Sequence, residues 1–197
     1  MEFIKTDIEG PLIIQPKVFG DSRGYFMESF SQREFDEKVA IPQYGHPVIF
    51  VQDNESMSTY GVMRGLHFQR PPFTQSKIVR CVQGSVLDVA VDIRRGSPTY
   101  GRHVAVLLTQ DNHLQFFVPK GFAHGFAVLS DTALFQYKCD QFYHPESDDG
   151  ISILDTTLGI DWQIPVEKAI LSDKDTRHAT LDKFNTPFDI NTDLYAL

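Results

Sequence analysis

Between residues 76 and 139 the chain is a succession of short runs rich in β-branched and aromatic residues: SKIVRCVQG, SVLDVAVDI, HVAVLLT, LQFFVPKG, HGFAVLS and ALFQYKC. Glycine, proline or an Asp-Asn pair separates them. Strands this short, at this spacing and with this punctuation, predict an all-β antiparallel sandwich or barrel. Helical signal is weak. The best candidate is SQREFDEKVA at 31–40, where Ser31 is placed to cap and good helix formers follow. The last forty or so residues mix polar turns with short apolar pieces such as LGIDW and AILSDKD. No internal repeat, low-complexity tract or linker interrupts the chain, and its 197 residues are expected to form one domain spanning 1–197.

Charge and cysteine usage narrow the function classes. The net charge of −8, without a long run of lysine and arginine, argues against nucleic acid and anionic membrane as partners, while leaving local basic groups free to hold a phosphorylated small molecule. Cys81 and Cys139 lie in strand-like runs and fit neither a disulfide framework nor a zinc pair. The opening MEFIKTDIEG lacks the basic-then-apolar pattern of a signal peptide, and no apolar run approaches the roughly eighteen residues that span a bilayer. A cytoplasmic location is expected.

Side-chain alternation picks out residues that a plain core does not explain. In SVLDVAVDI it sets Leu87, Val89, Val91 and Ile93 on one face, and Asp88, Ala90 and Asp92 on the other, so one face is expected to be core. In ALFQYKC, Tyr137 shares a face with Ala133, Phe135 and Cys139; it is either a core tyrosine with one hydrogen bond or a functional hydroxyl. Lys77 falls with Val79 and Cys81, so it either reaches water at a strand end or projects into a polar cavity. His67, between Leu66 and Phe68 in GVMRGLHFQ, is open to both a structural and a chemical reading. VPKGFAHGF adds His124 in a context similar to the second histidine motif of cupins, but the first motif needs an HxH pair and a glutamate, and only one histidine is present. With three or more protein ligands the norm for a stable site, no metal is expected.

Taken together, DSRGYFMESF, VQDNESMS, GVMRGLHFQRPP, QSKIVRCVQGSVLDVAVDIRRGSPTYG, VPKGFAHGFAVLS, YKCDQFYHPESDDGI and LSDKD resemble, in order, the dTDP-4-dehydrorhamnose 3,5-epimerase family. The resemblance implies a cupin-type jelly-roll barrel with short peripheral helices. It implies a reaction without metal or cofactor that inverts C3 and C5 of dTDP-4-dehydro-6-deoxy-D-glucose, and a homodimer. By the same resemblance His67 is the general base, Asp175 its orienting carboxylate, Tyr137 the acid and Lys77 the partner of the enolate oxygen. Arg23, Phe26, Glu28, Gln52, Asn54, Arg64, His124, Tyr143, Asp148 and Lys174 match substrate-binding positions, with Asp149 and Glu146 competing for the role of Asp148. Phe26 and Tyr143 are the candidate platforms for thymine, and core packing is the other reading of Phe26. Arg64 and His67, three apart, would point to opposite faces of a regular strand, and Gly65 between them predicts a bulge. A relative that inverts only C3 or only C5, and a sugar-nucleotide-binding cupin without catalysis, are the alternatives.

Overall fold

The computed structural model describes residues 1–196. In chain order its strands are β1 (Glu2–Lys5), β2 (Leu12–Gln15), β3 (Val18–Asp21), β4 (Gly24–Met27), β5 (Gln52–Thr59), β6 (Met63–Gln69) and β7 (Lys77–Gln83). There follow β8 (Ser85–Asp92), β9 (His103–Thr109), β10 (Gln115–Val118), β11 (Phe122–Val128), β12 (Thr132–Cys139) and β13 (Asp148–Gly150). Every run read as a strand is one. They assemble into a six-stranded sheet ordered β1-β2-β10-β7-β12-β5 and a five-stranded sheet ordered β13-β6-β11-β8-β9. All pairings in both sheets are antiparallel. The order, with sequence-distant strands adjacent, is that of a jelly roll.

The two sheets face each other across a core to which Val79, Phe116 and Phe135 contribute from one side and Val86, Ala90 and Phe126 from the other. Phe126 and Phe135 stack across the gap with ring centroids 4.3 Å apart. Two further apolar layers cover the outer faces. Phe35, Val39 and Val48 pack on Leu12, Ile14, Ile78 and Phe117, while Ile151, Ile153 and Phe188 from the C-terminal segment pack on Leu87, Val89 and Val91.

That second layer corrects the expectation of a single core face on SVLDVAVDI. From Val86 to Asp92 every residue of β8 is buried, because the polar-looking C-terminal stretch lays its scattered apolar side chains on the outer face. Asp92, on the inward-reading set, is buried yet satisfied by Arg94, Ser97 and Thr99. The helical expectation holds and extends further: residues 32–44 are helical, and the Ser31 side chain accepts the Glu34 N–H at 3.3 Å. The middle of this run, Asp36–Ala40, widens to π geometry. Pro42, in the short α-helical turn Ile41–Tyr44 that follows, has no N–H to offer the carbonyl four residues back.

Two features of this architecture position the site. At Gly65, β6 places two residues, Gly65 and Leu66, between Arg64 and His67, where its neighbour β11 places one, Gly125, between Phe126 and His124. The expected bulge is present. Gly65 has φ +130°, and a Cβ there would lie 2.6 Å from the Cα of Gly125, so only glycine permits this approach of the strands. The second feature is the attachment of the LSDKD segment: Ile170 receives the Met63 N–H at 3.0 Å and gives its own N–H to Gly61 at 2.8 Å. This pins residues 170–175 beside the start of β6. Among the described residues no helix is long and apolar enough to cross a membrane.

Candidate active site

Between the sheets lie two adjoining cavities of about 430 and 360 Å³ that share His67, Lys77, Tyr137 and Lys174 on their walls. The five-stranded sheet supplies Arg64 and His67 from β6 and His124 from β11; the six-stranded sheet supplies Lys77 from β7 and Tyr137 from β12. The pinned C-terminal segment closes one side with Lys174 and Asp175. Gln52, Asn54, Tyr143 and Asp148 line the second cavity.

His67 and Asp175, 108 residues apart, are in direct contact. The imidazole Nε2 and the carboxylate Oδ1 are 2.5 Å apart. Ser172 secures the carboxylate from behind, its Oγ donating to Oδ2 at 2.9 Å while accepting the Asp175 N–H at 3.2 Å. Burial alone would raise the Asp175 carboxyl, but the hydrogen bonds from His67 and Ser172 outweigh it and hold the group below the usual aspartate range. An ionised Asp175 accepts a hydrogen bond from Nε2–H of a neutral ring, which leaves Nδ1 with the free lone pair. A ring held in this way has a lone pair able to accept a proton.

Tyr137 stands on the opposing sheet. Burial raises its phenol above the normal tyrosine value, so the hydroxyl remains protonated and able to donate at neutral pH. Lys77, at the start of β7, has its Nζ 5.8 Å from the centre of the Tyr137 ring. Both readings of Lys77 are satisfied at once: it is at the end of a strand, and it faces a polar cavity. Arg64 gives Nε and Nη2 to the Ser58 hydroxyl at 3.3 and 3.2 Å and borders the cavity beside His67. Lys77, Arg64 and Lys174 give the cavities three cationic side chains.

The structure separates the three acids of PESDDG. Asp148 lines the cavity and accepts both the Tyr143 hydroxyl, at 3.0 Å, and the Lys174 ammonium. Asp149 instead pairs with Arg70 at 2.6 Å, and Glu146 with His144 at 3.1 Å. Gln52 gives its amide to Asn54 at 3.0 Å and accepts the Tyr143 N–H at 3.1 Å, tying that loop to the cavity rim.

Arg23, Phe26 and Glu28 do not join this constellation within one chain. β3 and β4 pair only with each other, Arg23 is turned back on Asp21, and Glu28 is exposed beyond the hairpin. Phe26 is 70 % exposed, which removes core packing as its explanation in the single chain. Three contributors escaped sequence reasoning. Asp88 is buried behind His124 and contacts its Nε2 at 2.9 and 3.1 Å; burial pushes this carboxyl up against the pull of the histidine. Ser172 had only its S-x-x-D spacing to Asp175 as a signal. Ser58, which holds Arg64, had none.

A jelly-roll barrel with a His–Asp pair on one wall and a protonated tyrosine with a neighbouring lysine on the other defines a carbohydrate epimerase of the cupin type. The family model for dTDP-4-dehydrorhamnose 3,5-epimerase matches residues 5–183, and the chain belongs to that family. The dTDP-4-dehydrorhamnose 3,5-epimerase of Escherichia coli (strain K12) is 54 % identical over 183 residues, which cover 93 % of this chain and 96 % of the relative. The crystal structure of the epimerase from Legionella pneumophila in complex with dTDP-4-keto-L-rhamnose is similar with a TM-score of 0.87 and 48 % identity, covering 93 % of this chain and 94 % of that one. A 3'-monoepimerase from Streptomyces bikiniensis in complex with dTDP-quinovose also shares the fold, with a TM-score of 0.83 and 34 % identity over 91 % of this chain and 87 % of that one.

Proposed function

We propose that the chain, as one epimerase domain, inverts C3 and C5 of dTDP-4-dehydro-6-deoxy-D-glucose to give dTDP-4-dehydro-L-rhamnose, using His67 as base and Tyr137 as acid. The observation that carries this reading is the placement of the two groups on opposing sheets across one cavity, with Lys77 beside both. The C4 ketone acidifies the neighbouring C–H bonds. Nδ1 of His67 takes the proton, the bonding pair moves onto the C4 oxygen, and the Lys77 ammonium stabilises the enolate charge as it develops. Asp175 holds the ring in the required tautomer and stabilises the imidazolium. Tyr137 then protonates the carbon from the other face; its phenolate recovers a proton from solvent, and the His67 imidazolium releases one to solvent. Repeating the cycle at the second carbon completes the double inversion.

Arg64 and Lys174 are assigned to the diphosphate, Gln52, Asn54 and Asp148 to the nucleotide and sugar, Tyr143 to the thymine, and the His124–Asp88 pair to the sugar wall. A family member with the 34 % identical monoepimerase's fold could act at one carbon only. The test is incubation with dTDP-4-keto-6-deoxyglucose in D₂O followed by NMR. Deuterium is expected at both C3 and C5 of the product; deuterium at one carbon alone replaces this reading with mono-epimerisation.

The active form is proposed to be a homodimer in which the β3–β4 hairpin of one chain brings Arg23, Phe26 and Glu28 to the nucleotide site of the other. Support comes from the hairpin itself, which pairs with no sheet of its own chain and exposes Phe19, Tyr25 and Phe26. Light scattering is expected to give twice the chain mass. A fully active monomer contradicts the exchange.

A further inference from the structure

His178 has no part in the proton path proposed above, yet among the described residues its Nε2 is buried without a hydrogen-bond partner, an arrangement that native proteins rarely leave unexplained. Its ring meets that of His67 edge to face, with centroids 5.7 Å apart and planes at 67°. One ligand atom from each of His67, Asp175 and His178 falls within 4.8 Å of the others. We propose that these three residues form a site for a divalent transition metal of the zinc class, and that filling it switches the epimerase off. The inhibitory half of this inference rests on the reading of His67 as the base; the binding half does not.

The donor chemistry fits. Two imidazoles and one carboxylate are a common zinc donor set, with a fourth position left open to water. Zinc holds such atoms at about 2.0–2.2 Å, which places neighbouring donors roughly 3.3 Å apart. To reach this, the 2.5 Å contact between His67 and Asp175 opens slightly, and the His178 ring moves inward. His178 follows the short Asp175–Arg177 turn, so a small adjustment of that turn carries it. Asp175 can give Oδ1 to the metal while Oδ2 stays with the Ser172 hydroxyl, the kind of outer hydrogen bond that steadies a ligating carboxylate. The nearby cations Lys174 and Arg70 are already paired with Asp148 and Asp149.

Inhibition follows from the tautomer. In the working enzyme the His67 proton sits on Nε2, toward Asp175, and Nδ1 carries the lone pair. A metal on Nε2 takes the lone pair at that nitrogen, and the neutral ring must then keep its proton on Nδ1. No electron pair remains for the substrate proton. The same metal would withdraw the carboxylate that otherwise stabilises the imidazolium.

The test uses the full-length protein, first treated with a chelator, and Zn²⁺ or Co²⁺ as the only added metal. Calorimetry is expected to show one Zn²⁺ per chain, Co²⁺ to give the visible absorption of a protein-bound low-coordinate ion, and Zn²⁺ to inhibit turnover reversibly on renewed chelation. In His178→Ala and His178→Gln, each normalised to its own metal-free rate, half-inhibition is expected to need at least about tenfold more Zn²⁺, with a matching loss of affinity by calorimetry. Equal zinc affinity in wild type and both variants overturns the site. Binding that is lost with His178 but never slows turnover overturns the switch, and a chelated wild type that fails to epimerise overturns the reading of the active site instead.

Discussion

Replacing His67 with asparagine is expected to lower kcat by about 10²–10⁴, the usual contribution of a positioned general base and equivalent to about 3–5 kcal/mol of barrier. Asparagine keeps a planar polar group within reach of Asp175 but has no basic nitrogen, so the loss falls on proton abstraction and not on the shape of the cavity. Affinity for dTDP should remain within about threefold, because the residues assigned to the nucleotide lie on other elements and interactions uniform along the reaction path are untouched. Steady-state rates with calorimetric titration of dTDP check both halves. Retention of most of the wild-type rate would remove His67 from its role, and a parallel collapse of dTDP binding would show that the substitution disturbs the site as a whole.

The barrel was legible because its strands are local patterns; family resemblance gave His67, Lys77 and Tyr137 their roles, since each was open to a purely structural reading under alternation. Alternation anticipated the bulge at Gly65, where a glycine lets β6 cross β11 closely and turn both Arg64 and His67 to the cavity. What alternation cannot supply is the partner of a strand residue. Asp175 lies 108 residues from His67 in an irregular segment, and only family resemblance connected them. On the same segment Ser172 had only its S-x-x-D spacing to Asp175, and His178 had no pattern to reveal it. The burial of both faces of β8 was hidden for a related reason: Ile151, Ile153 and Phe188 are isolated apolar residues in polar surroundings, and their destination depends on where the chain end is docked. Arg23, Phe26 and Glu28 carry this limit to its end, since no single chain brings them to the cavity.

Replacing Tyr137 with phenylalanine is expected to lower formation of the inverted product by at least about tenfold. The ring, the packing against Phe135 and the position of Lys77 are retained, and only the hydroxyl is removed. Were Tyr137 only a core residue, the cost would be about 1 kcal/mol of stability and the rate would not change. Under the proposed division of labour the loss is selective. His67 can still abstract the proton, exchange it with solvent and return a deuteron to the original face, whereas delivery to the opposite face has lost its donor.

That selectivity puts the two-wall mechanism to its most direct test, in one NMR time course of the Tyr137→Phe enzyme with dTDP-4-keto-6-deoxyglucose in D₂O. The mechanism predicts that deuterium continues to enter C3 or C5 of unconverted substrate while epimerised product falls behind by tenfold or more. Exchange and inversion falling in equal proportion, or neither falling, would contradict the assignment of base and acid to opposing walls of the barrel.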